Sequence, residues 1–192
     1  MTNSSTTTPP SNTIVSKHPL ISHKISILRS SSTVPAAFRS TLRELTFHLG
    51  YEATSSLTLK SVSLTVPNEG EHIDVTGSTL NQKIALVPIM RSGLGMVESM
   101  LELLPNAGVH HIGMYRKDLI PVQYYNRLPK KCDADVAFVL DPIIATSSTI
   151  MSVIGILKKV WIMSSILNLM LFIFYSLMQS FISFPKFLFL FF

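Results

Sequence analysis

The residues most able to do chemistry lie in the polar turn Asp141-Pro-Ile-Ile-Ala-Thr-Ser-Ser-Thr149. Its second half, from Thr146 onward, falls where a helix is predicted to begin, and the unpaired N–H groups of a helix N-terminus bind phosphate. The hydroxyl groups there add further donors, and Asp141 can accept hydrogen bonds from sugar hydroxyls. The turn therefore indicates a site for phosphate and ribose. The same residue types are equally typical of an ordinary helix cap, so the spacing alone leaves both interpretations open.

Two further turns carry arginines that can bind an anion. Arg91 lies in the turn Pro88-Ile-Met-Arg-Ser-Gly-Leu-Gly95, whose glycines allow the backbone to approach a ligand closely. Arg116 follows Tyr115 at the end of another predicted strand. Each arginine alone is also compatible with a plain surface turn. Together with the Asp141 turn, they describe a site for a polyanionic sugar phosphate.

Alternating predicted strands and helices place these turns at one edge of a parallel sheet. The apolar run over residues 84–89 is typical of a strand buried on both faces, and helical spacing continues over residues 94–104. Residues 109–115 predict the next strand, which completes a βαβ unit. Residues 135–140 predict another buried strand, again followed by a helix. We therefore predict a doubly wound α/β fold, in which ligands bind beyond the carboxyl ends of the strands.

The N-terminal part of the chain predicts one helix and one exposed strand region. Pro35 begins a helix that Gly50 is placed to end, and apolar residues at spacings of four, three and four line one of its faces: Phe38, Leu42, Leu45 and Leu49. Alternating apolar residues over 57–66 predict one or two short, half-exposed strands, with a slip in the alternation. A turn is predicted at residues 68–70.

The composition of the chain differs sharply between its parts. The chain has 192 residues, of which 47% are apolar and only 14% charged, and its mean hydropathy is +0.39. From residue 160 onward Lys186 is the only charged side chain. We therefore divide the chain into a disordered leader at 1–16, one domain at 17–160 and a hydrophobic tail at 161–192. This pattern excludes wholesale disorder, a collagen-like repeat and a multi-span membrane protein.

Charge, cysteine content and histidine placement exclude several classes of protein. The net charge of +5 is spread along the chain without a basic run, which argues against a nucleic-acid groove. A lone cysteine, Cys132, excludes a disulfide scaffold and fits a reducing compartment such as the cytoplasm. His110 and His111 point to opposite sides of a predicted strand and make a poor metal pair, so we predict no metal site within the protein.

Six blocks of the sequence resemble those of uracil phosphoribosyltransferases, in the same order and at nearly the same spacing. They are His18-Pro-Leu-Ile-Ser-His-Lys24, Tyr51-Glu-Ala-Thr54, Val87-Pro-Ile-Met-Arg-Ser-Gly-Leu-Gly-Met96, Gly113-Met-Tyr-Arg116, Pro121-Val-Gln-Tyr-Tyr125 and Val139-Leu-Asp-Pro-Ile-Ile-Ala-Thr146. The resemblance covers residues 18–160 and implies a type I phosphoribosyltransferase fold, a parallel sheet with a small hood, truncated at its C-terminus.

The resemblance implies an enzyme of pyrimidine salvage that joins uracil to 5-phosphoribosyl diphosphate, giving UMP and diphosphate. It implies that Arg91 and Arg116 hold the diphosphate, that Mg²⁺ accompanies it, and that the protein is a cytoplasmic homo-oligomer without a nucleic-acid partner. The remaining part of the sugar phosphate would be bound by Asp141, Pro142, Ile143, Ile144, Ala145, Thr146, Ser147, Ser148 and Thr149.

This chain departs from the family pattern at three places. Ser147 and Ser148 stand where the family has two glycines, and we expect serine to adopt the backbone shapes of glycine only at a cost of about 1 kcal/mol or more. The segment between Arg116 and Pro121, a flexible flap in the family, is a few residues shorter here. After residue 160 the resemblance stops, so the family's uracil-reading loop has no counterpart, and we assign no catalytic or uracil-binding residue.

Three interpretations of residues 161–192 stay open. The segment is a membrane span, a segment that packs in place of the family's last strands, or an out-of-frame or unspliced translation product. We favour the third, because nothing upstream indicates a membrane. The alternative to an active enzyme is a catalytically inactive homologue that binds 5-phosphoribosyl diphosphate or an intact subunit, anchored to a membrane if the tail is a span.

Overall fold

The structure is a computed structural model that describes residues 13–118, 120–130, 133–143, 147–160 and 189–191. These residues form four helices and nine strands. In chain order they are β1 (Thr13–Val15), α1 (Pro19–Arg29), α2 (Pro35–Thr54), β2 (Leu59–Asn68), β3 (Glu71–Leu80), β4 (Ile84–Met90), α3 (Leu94–Leu103), β5 (Gly108–Val109), β6 (Ile112–Lys117), β7 (Ile120–Asn126), β8 (Val136–Leu140), α4 (Ser147–Val160) and β9 (Phe189–Phe191).

The main sheet is built around β4. β8 pairs with β4 in parallel on one side, while β5 and then β6 pair with it in parallel on the other. β4 and β8 are buried along nearly their whole length, as their continuous apolar runs predict. β7 pairs with β6 in antiparallel orientation, so the expected parallel sheet is mixed. Only residues 118 and 119 separate β6 from β7, which is too short for the crossover that a parallel neighbour needs.

Helices cover both faces of this sheet, which confirms the predicted doubly wound α/β fold. On one face, α4 packs through Val153 and Ile154 against alternate strand residues such as Val87. On the other face, Leu49 of α2 packs in one buried cluster with Leu86 of β4 and with residues of α3. Because successive residues of a strand point to opposite faces, β4 contributes side chains to both clusters. Packing on both faces fixes the position of its carboxyl end.

The strand predicted over residues 109–115 is interrupted. β5 ends at Val109 and β6 begins at Ile112, with the two histidines between them. The His110 N–H still donates to the carbonyl oxygen of Leu86 at 2.8 Å. The backbone therefore stays beside β4 across the interruption, and the βαβ unit retains its predicted course.

α2 continues beyond the residue that was expected to end it. Gly50 lies inside α2 and against α3, where an added Cβ would overlap Leu103. The helix instead ends at Thr54, whose Oγ1 donates to the carbonyl oxygen of Gly50 at 2.7 Å. The prediction that Gly50 ends the helix is wrong, because this glycine serves close packing between two helices.

α1 is a helix that the sequence analysis did not predict. Its N-cap is His18, whose Nδ1 accepts a hydrogen bond from the Leu20 N–H at 3.2 Å. One face of α1 packs against Leu45 of α2 through its buried residues Ile21, Ile25 and Leu28. α1 thereby forms a small cluster of its own at the edge of the main core.

β2 and β3 form a regular antiparallel hairpin. The predicted exposed strand region is one strand of ten residues, the predicted turn follows it, and β3 is a strand that the sequence pattern did not predict. The register runs without a bulge from the Leu59–Leu80 pair to the turn, so the slip in alternation does not interrupt pairing. Glu69 and Gly70 both have positive φ, 45° and 95°, which is the backbone that a two-residue hairpin turn requires.

The two ends of the chain are described only in part. Residues 1–12, 161–188 and 192 lie outside the described residues, so the leader and the tail stay predictions. Within the described residues, β1 and β9 pair with each other in parallel. No helix in the described ranges combines the length and the apolar character that a membrane span requires.

Candidate functional site

A cleft of about 340 Å³ opens at the carboxyl ends of β4, β6 and β8, the edge at which open parallel sheets bind ligands. Arg91 follows β4, Arg116 lies near the end of β6, and Asp141 follows β8. All three side chains line the cleft, together with Ile143 and Thr149. The fold therefore brings the three predicted turns together at one site.

The turn that carries Arg91 packs tightly against the end of β8. The Gly93 N–H donates to the carbonyl oxygen of Ile89 at 2.9 Å. A Cβ at Gly93 would collide with the carbonyl oxygen of Leu140 and would lie 2.8 Å from the Ile89 nitrogen. Because the φ of Gly93 is −64°, the turn requires glycine for space and not for an unusual backbone conformation. The close approach brings the Arg91 turn beside Asp141.

Asp141 is a buried carboxylate at the floor of the cleft, with 7% of the residue exposed. The Ser92 hydroxyl donates to Oδ1 of Asp141 at 2.9 Å, and the Ile143 N–H donates to the same oxygen at 3.4 Å. Burial raises the pKa of Asp141 from 3.8 to about 6, while these two hydrogen bonds and the charge of Arg116 oppose the rise. Asp141 is therefore mainly ionised at neutral pH and can accept hydrogen bonds from sugar hydroxyls.

The two arginines of the cleft keep most of their donors for a ligand. Arg116 Nε donates to Thr149 Oγ1 at 3.4 Å, which connects β6 with the first turn of α4. The terminal nitrogens of Arg116 make no hydrogen bond or ion pair with another described residue. Arg91 has no such partner within the described part of the chain either. Two exposed guanidiniums beside one cleft favour binding of an anion.

The structure describes some of the other predicted residues of the Asp141 turn and not others. Pro142 is buried next to Asp141 and does not line the cleft. Ser147 and Ser148 begin α4 with helical backbone, so the backbone cost expected from replacing two glycines is not present at these positions. Three residues lie outside the described residues, and their role stays a prediction: Ile144, Ala145 and Thr146.

The segment predicted as a short flap is a tight hairpin between β6 and β7. Pro121 lies opposite Arg116 in the register of the two strands. Asp118 has a φ of 49°, which is typical of a residue in a two-residue turn. The hairpin thus fixes the strand end that carries Arg116.

Ser92 is the site residue that the sequence analysis did not single out. It lies next to Arg91 on the turn after β4, and it contacts Asp141 across the cleft. A hydroxyl residue directly after an arginine at a strand end is the only signal that could have drawn attention to it. Among the described residues, no group of three or more His, Cys, Asp or Glu side chains comes together to hold a metal ion.

Comparison with known protein families decides the identity of this fold. The sequence model of uracil phosphoribosyltransferase matches residues 15–178 of the chain. The chain belongs to the uracil phosphoribosyltransferase family. This confirms the resemblance predicted from the six sequence blocks. The expectation that the resemblance stops after residue 160 is wrong, because the family match extends to residue 178.

Curated relatives within the uracil phosphoribosyltransferase family support the same assignment. The chain is 42% identical over 148 residues to the uracil phosphoribosyltransferase of Roseiflexus sp. (strain RS-1), across 76% of this chain and 69% of that protein. It is 44% identical over 149 residues to the protein of the same name from Dictyoglomus turgidum, across 76% of this chain and 70% of that protein.

Solved structures show the same fold. The AQ2163 protein from Aquifex aeolicus is similar with a TM-score of 0.74 and 27% identity, over 93% of this chain and 85% of that one. A hypoxanthine-guanine phosphoribosyltransferase from Bacillus anthracis is similar with a TM-score of 0.52 over 79% of this chain and 78% of that one. Because its identity is only 9%, the second likeness shows the fold alone. The predicted phosphoribosyltransferase fold is confirmed.

Proposed function

We propose that this chain is a uracil phosphoribosyltransferase, a pentosyltransferase of pyrimidine salvage that joins uracil to 5-phosphoribosyl diphosphate and releases UMP and diphosphate. One observation carries the proposal: two arginines and a buried carboxylate meet in one cleft at the carboxyl edge of the sheet. Such a cleft suits a ligand that combines anionic groups with sugar hydroxyls. The family membership and the names of its relatives supply the base and the reaction.

In this proposal each part of 5-phosphoribosyl diphosphate has its own partner. Arg91 and Arg116 bind the diphosphate, and Asp141 accepts hydrogen bonds from the ribose hydroxyls. Residues 142–149 bind the 5-phosphate at the N-terminus of α4. The first turn of α4 contains no acidic residue, so its N–H groups and its dipole favour an anion there.

The reaction depends mainly on positioning and on stabilising charge. The bond between C1 of the pentose and the diphosphate breaks as a ring nitrogen of uracil bonds to C1, and the proton of that nitrogen passes to water. Positive charge develops on the ribose, and negative charge develops on the leaving diphosphate. Arg91 and Arg116 stabilise that negative charge, and the rigid end of β4 holds the Arg91 turn in place.

We propose that Mg²⁺ accompanies the diphosphate. Asp141 is the only carboxylate among the described residues that line the cleft, and its Oδ1 already accepts two hydrogen bonds. This donor set fits an ion that is held mainly by diphosphate oxygens and water, as Mg²⁺ commonly is beside phosphates. When bound, the ion neutralises part of the charge on the leaving group.

We also propose a cytoplasmic homo-oligomer with its catalytic domain in residues 17–160, between a leader at 1–16 and a tail at 161–192. A single cysteine suits a reducing compartment.

The β2–β3 hairpin suits a contact between subunits because it exposes large apolar side chains: Leu59, Leu64, Ile73, Val75 and Leu80. Analytical ultracentrifugation tests the oligomer, and a monomer at micromolar concentration would refute it. Membrane fractionation with and without residues 161–192 tests whether the tail is an anchor.

A uracil-transfer assay with radiolabelled uracil tests the proposed activity. The purified chain is expected to form UMP, and Arg91→Ala and Arg116→Ala are each expected to raise KM for 5-phosphoribosyl diphosphate about tenfold or more. Arg39→Ala is the matched control, because Arg39 is an exposed arginine of α2 away from the cleft. Its KM is expected to equal that of the parent chain.

The second candidate is a homologue that binds 5-phosphoribosyl diphosphate without transferring it. It is favoured by one observation, namely that no described residue of the cleft is assigned to the base. Calorimetry separates the candidates. Heat of binding without UMP formation supports the inactive homologue, and the absence of binding contradicts both candidates.

A further inference from the structure

Ser92 and Asp141 connect two turns that carry different parts of the cleft. Ser92 lies on the turn after β4, beside Arg91, and Asp141 lies on the turn after β8. The Ser92 hydroxyl donates to Oδ1 of Asp141 at 2.9 Å, across 49 residues of sequence. The hydrogen bond therefore joins the arginine turn to the carboxylate turn directly.

The two oxygens of Asp141 have different surroundings. Oδ1 accepts hydrogen bonds from the Ser92 hydroxyl and from the Ile143 N–H. Oδ2 accepts no hydrogen bond from any described residue, although Asp141 is buried and lines the cleft. A buried carboxylate oxygen without a donor is unfavourable, so Oδ2 is the oxygen that gains most from a hydroxyl of a ligand.

We propose that Ser92 is a positioning residue: its hydroxyl holds Oδ1 of Asp141 so that Oδ2 is presented to a hydroxyl of the bound pentose. This inference rests on the proposed function for the identity of the ligand. The orientation of the carboxylate rests on the geometry alone. Because Ser92 and Arg91 share one turn, the same hydrogen bond also fixes the position of the arginine relative to the carboxylate.

The charged groups around Asp141 agree with this role. Arg91, from the turn after β4, and Arg116, from β6, are the charged side chains that share the described cleft with Asp141. From α4 the cleft receives Thr149 and Ile150, which do not titrate near neutral pH. The Ser92 hydrogen bond opposes the effect of burial on the pKa of Asp141, so its loss is expected to raise that pKa further.

Two variants of Ser92 test the proposal on the full chain. Ser92→Ala is expected to raise the pKa of Asp141 by about one unit and KM for 5-phosphoribosyl diphosphate about tenfold, with kcat changed less than about twofold. The acid limb of the pH profile of kcat/KM is expected to move upward with the pKa. Ser92→Thr keeps the hydroxyl and is expected to restore the pKa of Asp141 and KM for 5-phosphoribosyl diphosphate. Carbon-13 NMR of the Asp141 carboxyl measures the pKa without substrate.

The controls separate positioning from a purely structural role. Ser26→Ala removes a hydroxyl that donates to the carbonyl oxygen of Ser22 on the exposed face of α1, and it is expected to change neither value. An unchanged Asp141 pKa in Ser92→Ala would overturn the inference whatever the activity. So would a fall in kcat with an unchanged KM. If the parent chain does not bind 5-phosphoribosyl diphosphate, the proposed function fails, while the NMR titration still decides whether Ser92 holds Asp141.

Discussion

Replacing Asp141 by asparagine is expected to make the fold more stable at neutral pH. Burial raises the pKa of this carboxyl to about 6 in the folded protein, against 3.8 when it is exposed. The folded state therefore binds this proton more tightly than the unfolded state does. The proton on Asp141 therefore stabilises the folded protein fully below pH 3.8, and this stabilisation is lost as the pH rises through about 6. Asparagine keeps the shape of the side chain and cannot ionise, so Asp141→Asn does not lose this contribution.

The size of the effect follows from the two pKa values. The interval from 3.8 to about 6 corresponds to about 3 kcal/mol in the free energy of unfolding, since each pH unit is worth about 1.36 kcal/mol. The free energy of unfolding of Asp141→Asn is therefore expected to exceed that of the parent chain by up to about 3 kcal/mol near pH 7.5. The difference is expected to narrow to about 1 kcal/mol near pH 4.5.

Urea unfolding at several pH values measures this difference. Asp74→Asn is the matched control, because Asp74 is an exposed carboxylate on β3 that accepts a hydrogen bond from Thr65 at 2.8 Å. The control is expected to change stability by less than about 0.5 kcal/mol at each pH. If Asp141→Asn were no more stable than the parent chain near pH 7.5, or if its advantage stayed constant down to pH 4.5, the reasoning from burial would be wrong.

Two further changes test the packing that supports the cleft. Gly93→Ala is expected to lower the free energy of unfolding by about 2 kcal/mol or more, because the added Cβ collides with the carbonyl oxygen of Leu140. Gly155→Ala is its control: a Cβ there meets nothing within 4 Å, so thermal melts should show a gain of about 0.5–1 kcal/mol. Leu49→Ala truncates a side chain with 0% exposure, so the free energy of unfolding is expected to fall by about 2–5 kcal/mol. Urea unfolding should give the same loss at every pH, and a loss that varies with pH would contradict this.

The central elements of the fold could be predicted because their burial leaves a simple signal. β4 and β8 are enclosed by helices on both faces, and such strands read as continuous apolar runs. α3 and α4 bury one face each, which produces apolar residues at helical spacing. Local patterns therefore sufficed for these four elements.

Other elements could not be predicted because their local signal is weak or ambiguous. α1 buries only a narrow stripe and contains several polar residues on its exposed face. Gly50 looks like a helix terminator in the sequence, and only the neighbouring α3 shows that it serves close packing. β7 is an edge strand, and its antiparallel orientation follows from the short turn before it. Because that segment was expected to form a flap, the turn was not recognised in the sequence.

The candidate site could be predicted as a set of turns, but its internal contacts could not. The three turns follow predicted strands, so a parallel sheet had to bring them to one edge. The contact between Ser92 and Asp141 joins residues 49 positions apart and depends on how two turns meet. The space requirement at Gly93 arises in the same way, because the atom it avoids belongs to β8. Such contacts leave no local pattern in the sequence.

The environment of Asp141 combines two requirements that oppose each other. The carboxylate must be shielded from water if its hydrogen bonds to a sugar are to be strong, yet shielding favours the neutral acid, which loses an acceptor. Ser92 and Arg116 lower the pKa against the effect of burial, so the group stays mainly ionised at neutral pH. Removing the Ser92 hydroxyl or the Arg116 charge raises the pKa of Asp141 and increases its protonated fraction in the folded protein. Ligand affinity should therefore fall in these variants while the folded structure persists.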